Sequence, residues 1–135
     1  VIVNGDIATP HDAERALEVS GAHGVMIGRA AIGRPWLPGQ VAAHLAGRTM
    51  TQPDLETQLA SLLEQITDSV DLYGERLGVR TVRKHVSAAL DAVDLPLPPQ
   101  ERRRLRADVC RLETAAAVKQ ALKGVYSMTR ELEVA

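Results

Sequence analysis

The sequence predicts a chain that begins as the end of an α/β array and continues as an all-helical domain, mostly α overall. Three observations carry this prediction. Two short apolar runs, Val1–Val3 and Gly24–Gly28, flank a single capped helix. After about Trp36 the apolar residues recur only at three-four spacing. The charge also divides, with four basic against ten acidic side chains in residues 1–75, a net of −6, and twelve against seven in residues 76–135, a net of +5.

Taken in order, Val1-Ile2-Val3 reads as a strand that exits through Asn4-Gly5-Asp6. Thr9-Pro10 supplies an N-cap and a proline at the first helical position, and Ser20-Gly21 supplies the stop. Gly24–Gly28 is a second buried strand, so the order is β-α-β with short connections, which requires parallel strands. Residues 29–34 then read as a short helix ended by Pro35. Helices are expected over 36–46, 54–73, 75–93, 99–112 and 114–131, punctuated by Gly47, Gly74 and the prolines at 96, 98 and 99. Two strands cannot bury a sheet face alone, so residues 1–36 are expected to close a larger α/β structure. Residues 37–52 are expected to connect, and residues 53–135 to form the helical domain. The start at Val1, without Met and inside an apolar run, reads as a cut through a longer protein.

Composition narrows the function classes. The chain has 135 residues, 45% hydrophobic and 24% charged, which is globular composition. It has no apolar run of membrane-spanning length. One cysteine, Cys110, excludes an intrachain disulfide and a thiolate zinc cluster, so a reducing, cytoplasmic setting is expected. Cys110 shares a helical pattern with Leu105, Val109 and Leu112 and reads as a structural residue. No metal is expected, because His11, His44 and His85 show neither pairing nor a carboxylate partner pattern. Aromatics are few, namely Trp36, Tyr73 and Tyr126, so contact with nucleic acid must lean on phosphates and shape.

Candidate binding residues follow from the loops. Asn4 and Gly28 lie 24 positions apart, each at the end of a strand. In a (β/α)8 barrel the loops after the last two strands, with a short extra helix, commonly bind phosphate. Gly5 and Gly28 allow backbone amides to approach an anion, Arg29 adds a charge-assisted bond, and Asn4 suits a hydroxyl. On α-helical spacing, Arg76, Arg80, Arg83 and Lys84 share one face, with Val79, Val82, Val86 and Leu90 on the core side. Such a face can follow a phosphate backbone. A second cluster, Arg102, Arg103, Arg104 and Arg106, either does the same or is partly neutralised by Glu101 and Asp108.

Val3-Asn4-Gly5-Asp6-Ile7, followed by residues 21–36 (Gly21-Ala22-His23-Gly24-Val25-Met26-Ile27-Gly28-Arg29-Ala30-Ala31-Ile32-Gly33-Arg34-Pro35-Trp36), closely resembles the flavin-barrel end of the bacterial tRNA-dihydrouridine synthases. The nearest match is their B subgroup, the nitrogen-regulation-type TIM-barrel proteins. Tyr73-Gly74-Glu75 with Gly78, Arg80, Arg83, Lys84 and His85 resembles the start of that family's helical tRNA-binding domain.

The resemblance implies an FMN-dependent oxidoreductase that reduces the uridine C5–C6 bond in tRNA, with NADPH as reductant. It places Asn4, Gly5, Asp6, Gly28 and Arg29 at the FMN ribityl chain and phosphate. Arg76, Arg80, Arg83, Lys84 and His85 become the tRNA-facing residues. The family's ring-protonating cysteine, and its lysine and histidine, fall upstream of Val1. No catalytic residue is therefore expected in this chain, which alone is expected to be inactive. The chain departs from the family pattern at His23, where an acidic residue is more common, and at Ser87-Ala88-Ala89, where an aromatic pair is common.

Three rival readings remain at this stage. One is another FMN-dependent (β/α)8 oxidoreductase acting on a small molecule, which leaves the basic helix unexplained. Another is a non-catalytic helical RNA-binding module. The third is a structural fragment that forms a homodimer through unpaired barrel strands.

Overall fold

A computed structural model describes the backbone of residues 1–134 and the side chains of residues 1–128. The chain divides into two compact units, Val1–Pro53 and Asp54–Ala135.

In the first unit the elements are β1 (Ile2–Asn4), α1 (Pro10–Ser20), β2 (Gly24–Met26), a 3-10 turn (Arg29–Ala31) and α2 (Leu37–Leu45). The strands are parallel, with Ile2 opposite Gly24, Val3 opposite Val25 and Asn4 opposite Met26. Parallel pairing puts the exits of both strands at one edge, which brings the loops after Asn4 and Met26 together. Helix α1 starts with a reciprocal cap. The Thr9 hydroxyl accepts from the Asp12 amide at 3.1 Å, and the Asp12 carboxylate accepts from the Thr9 amide at 2.9 Å. These bonds and the Ala8 amide hold the Asp12 carboxyl below the ordinary carboxylate range. The helix ends where Gly21 turns left-handed at φ 65°. The core of this unit is Ile7, Ala13, Leu37 and Val41, so α2 packs as part of it. The sheet face stays bare, with Ile2 63% and Met26 54% exposed.

The short helix expected over residues 29–34 is shorter and tighter in the structure. One 3-10 turn forms over Arg29–Ala31, and Gly33 then takes φ 79°. That left-handed residue, with Pro35 behind it, stops helical propagation.

The second unit consists of α3 (Leu55–Tyr73), α4 (Glu75–Ala92), α5 (Pro99–Arg111) and α6 (Ala115–Val134), close to the expected bounds. Asp54 caps α3 by accepting from the Thr57 amide at 2.8 Å. Gly74, at φ 81°, breaks the chain between α3 and α4. The two helices cross so closely at Gly78 that a Cβ there would lie 2.6 Å from the Ser69 carbonyl oxygen and from the Val70 Cα. The Ser69 hydroxyl donates to the Gly78 carbonyl at 2.8 Å across the crossing. Val79, Val82, Val86 and Leu90 of α4 are buried with Leu62 and Ile66 of α3, Val109 of α5, and Val118, Leu122 and Tyr126 of α6. Leu90 and Leu122 are fully enclosed, and truncating either to Ala would cost about 2–5 kcal/mol. Helix α6 begins on two side chains. Glu75 accepts from the Ala115 amide at 2.6 Å, and Thr114 accepts from the Ala117 amide at 3.2 Å. Glu75, part of the Tyr73-Gly74-Glu75 motif, thus caps a helix 40 residues further on.

Candidate functional site

In the first unit, the loops at the strand exits enclose an open cavity of about 440 Å³. Asn4, Gly5, Asp6, Gly28 and Arg29 all line it, together with Ile7, Ala8 and Ala30. A Cβ built on Gly5 or Gly28 would meet nothing within 4 Å, so both backbones face open space. The 3-10 turn uses the Ala31 amide, which donates to the Gly28 carbonyl at 3.1 Å. The amides of Arg29 and Ala30 stand outside the turn's own bonding, as the first amides of any helical turn do. Arg29 Nη2 lies 3.1 Å from Asp6 Oδ1, with the two side chains 89% and 93% exposed. A pair so exposed contributes little to stability. Ionised Asp6 can only accept hydrogen bonds, so its chemistry suits Arg29 or a hydroxyl and opposes a phosphate oxygen.

Sequence reasoning passed over Arg34, although it lies in the quoted motif. Its guanidinium donates to the Ala8 carbonyl and to the Ala30 carbonyl, both at 3.3 Å. It thereby ties together the two loops that form the cavity. No local pattern marks this role, because Ala8 is 26 positions away. The expectation that the histidines lack carboxylate partners is also corrected. His11 Nδ1 and His44 Nε2 lie 3.4 and 3.2 Å from Glu14 Oε2. These bonds, His44 first, hold the Glu14 carboxyl below its usual range. The His11–Glu14 spacing was visible in the sequence, whereas His44 arrives from α2.

In the second unit the basic residues of α4 separate into two groups. Arg76, Arg80 and Lys84 are exposed and, among the described residues, make no hydrogen bond or ion pair. Arg83 is half-buried, and its Nη2 donates to the Leu112 carbonyl at 3.2 Å. Its Nε is buried with no partner among the described residues. The helical wheel separates Arg83 from Arg80 and Lys84, since at about 100° per residue Arg83 lies only about 20° from Leu90 and about 40° from Val79, whereas Arg76, near Arg83 on the wheel, is exposed in the first turn of α4. Arg83 borders the apolar stripe instead of facing away from it. His85 lies on a different side again and is half-buried, where its Nδ1 accepts from Gln65 Nε2 at 3.4 Å. Desolvation, with Lys84 beside it, pushes the imidazole below its ordinary value, which keeps the ring neutral at pH 7.

Two of the four arginines of the α5 cluster are committed to the fold. Arg102 donates to the carbonyls of Leu90, Asp91, Val93 and Leu95 at 3.2, 3.3, 2.6 and 2.9 Å, closing the end of α4. Arg106 Nη1 meets both oxygens of Asp91 at 2.7 and 2.8 Å. Asp108 pairs with Arg111 and not with the cluster, while Arg103 and Arg104 stay exposed. Cys110 is half-buried, and burial raises its thiol above the ordinary value, as expected of a structural cysteine. No helix among the described residues is long and apolar enough to cross a membrane.

Residues 1–129 match the family model described as Dihydrouridine synthase (Dus). The chain is 39% identical over 117 residues to tRNA-dihydrouridine synthase B of Shewanella oneidensis, covering 86% of this chain and 34% of that protein. It is 34% identical over 128 residues to the probable tRNA-dihydrouridine synthase of Rhodobacter capsulatus, covering 94% and 37%. Against the probable tRNA-dihydrouridine synthase of Rickettsia bellii the identity is 47% over 87 residues, covering 64% and 27%. The chain spans about a third of the length of these curated relatives.

Proposed function

This chain belongs to the dihydrouridine synthase family, an oxidoreductase family, and from that premise we propose that it is the FMN-phosphate end and RNA-facing domain of a tRNA-dihydrouridine synthase. The observation that carries the RNA side of the reading is the α4 face. Arg76, Arg80 and Lys84 stand exposed and, among the described residues, unpartnered on a helix whose other side is locked into the core. Free cations at helical spacing can exchange their counterions for phosphates.

The first unit fits the cofactor that the resemblance implies. Residues 1–36 are read as the last two strands of a (β/α)8 barrel, with the cavity at the strand exits, where such barrels place phosphates. The open space over Gly5 and Gly28, the free turn amides and the Arg29 guanidinium would hold the phosphate. Asn4 and Asp6 would take ribityl hydroxyls. FMN, when bound, supplies the hydride for reduction of the uridine C5–C6 bond, and NADPH is the reductant of the full enzyme. This chain's residues hold and orient, and the proton-donating group belongs to another part of the barrel. The bare edges of the β1–β2 sheet belong against further barrel strands in this reading, and pairing of two copies through them is not part of it. The working compartment is the cytoplasm, where tRNA is modified.

The test is fluorescence-anisotropy binding of unmodified tRNA to the chain across a salt series, beside an Arg76/Arg80/Lys84→Ala variant. The expected result is affinity that falls with salt, with the log–log slope shallower by about 2–3 in the variant. No binding at low salt by a helical chain would remove the RNA role. The reading would then return to a flavin-barrel oxidoreductase acting on a small molecule.

A further inference from the structure

Where α3 ends and α4 begins, Tyr73, Gly74, Glu75, Arg76, Leu77 and Arg80 line an open depression of about 420 Å³. Tyr73 is 49% exposed, whereas Tyr126 is buried in the helical core. Leu77 beside it is 52% exposed, so the depression has an apolar wall facing water. The side chains of Tyr73, Arg76 and Arg80 make no hydrogen bond or ion pair among the described residues. Glu75, the one acid in the lining, accepts from the Ala115 amide and forms no ion pair with either guanidinium among the described residues.

A half-exposed flat ring, an apolar wall and two cations without a partner among the described residues together match one kind of occupant. We propose that this depression is a stacking site for a single unpaired nucleotide, with the base on the Tyr73 ring and the flanking phosphates on Arg76 and Arg80. An unpaired nucleotide offers both a π face and a negative charge within one residue's length. A paired base hides its face in the helix stack, so duplex RNA gains only the phosphate contacts. The inference rests on the RNA-facing reading of α4 and adds to it a residue, Tyr73, and a preference for unpaired over paired RNA. It also revises the expectation that contact with nucleic acid here leans on phosphates and shape alone.

The test uses the full chain with a labelled single-stranded oligouridine and a labelled RNA duplex of equal length. Wild type is compared with Tyr73→Phe, Tyr73→Leu and Tyr73→Ala, each checked for unchanged helicity. Tyr73→Leu and Tyr73→Ala should weaken single-strand binding roughly tenfold, while duplex binding changes by less than about twofold. The salt slope should not change, because no charge is removed, and Tyr73→Phe should bind like wild type. If Tyr73→Leu binds the single strand as tightly as wild type, or both RNAs weaken together, the stacking site is wrong while the α4 reading stands. If wild type binds neither RNA, both fall.

Discussion

Arg80 on α4 and Arg102 on α5 carry the same guanidinium within clusters that look alike in the sequence, yet the fold uses them in opposite ways. Arg102 spends its donors on four carbonyls around the end of α4. Arg80 is exposed and has no partner among the described residues. The difference lies in what surrounds each side chain. Near Arg102 the chain leaves α4 through Val93 and Leu95, and the last carbonyls of a helix need donors from elsewhere. Arg80 lies about 80–120° from the buried positions Val79, Val86 and Leu90, which leaves its head in water. Charge density alone therefore does not identify a polyanion surface. A cation can meet a polyanion only if the fold has not already used it.

Breaking the comparison at Arg102 should have the largest effect. Arg102→Ala leaves carbonyls at the end of α4 without their donor and should lower stability by about 2–3 kcal/mol, read as a reduced urea midpoint. Its effect on the salt slope of tRNA binding should be smaller than that of any α4 surface cation. A tRNA slope that moved as much for Arg102→Ala as for Arg80→Ala would erase the distinction between the clusters.

Arg83 sharpens the contrast within α4. Arg83→Met should cost about 1 kcal/mol, because the bond to the Leu112 carbonyl is lost while an unpartnered buried Nε is relieved. Adding it to the Arg76/Arg80/Lys84→Ala variant should leave the tRNA salt slope where it was. A further drop in slope would return Arg83 to the RNA-facing group. Arg106→Ala breaks a two-oxygen contact with a half-exposed Asp91, and thermal unfolding should register less than about 1 kcal/mol.

The smallest effect is that of pH at His85. In the unfolded chain the imidazole titrates near 6.5, and in the fold burial and Lys84 hold it lower. Well above pH 6.5 both states are neutral and the ring contributes nothing to the pH dependence. As pH falls below 6.5 the unfolded state takes up the proton first, so stability declines until the folded ring also protonates. Urea unfolding between pH 7.5 and 5.5 should show this decline in wild type and a shallower one in His85→Gln. Equal declines would mean that His85 is as solvated as a surface histidine.

Much of the fold was legible because it rests on local rules. Thr9, Pro10 and Gly21 fixed the ends of α1 through capping and backbone preference, and Gly74 marked the break between α3 and α4. The apolar spacing of Leu62 and Ile66, and of Val79, Val82, Val86 and Leu90, identified the buried faces. All five residues expected at the phosphate loops line one cavity. The short helix expected at 29–34 stops at Ala31 because Gly33 adopts a left-handed turn that the apolar pattern around it did not announce. Arg34, Glu75 and Arg102 escaped because each acts on a backbone group distant in sequence.

The sequence by itself determined where helices begin and end, which faces are apolar, and which glycines and cations stand at the strand exits. These depend on residues within a turn or two of one another. Only the tertiary structure decided which charged side chains remain free. A guanidinium is committed or available according to the carbonyls and carboxylates that other elements bring within about 3 Å of it. Arg83 and Arg102 found such partners across the helical core, and among the described residues Arg76, Arg80 and Lys84 did not.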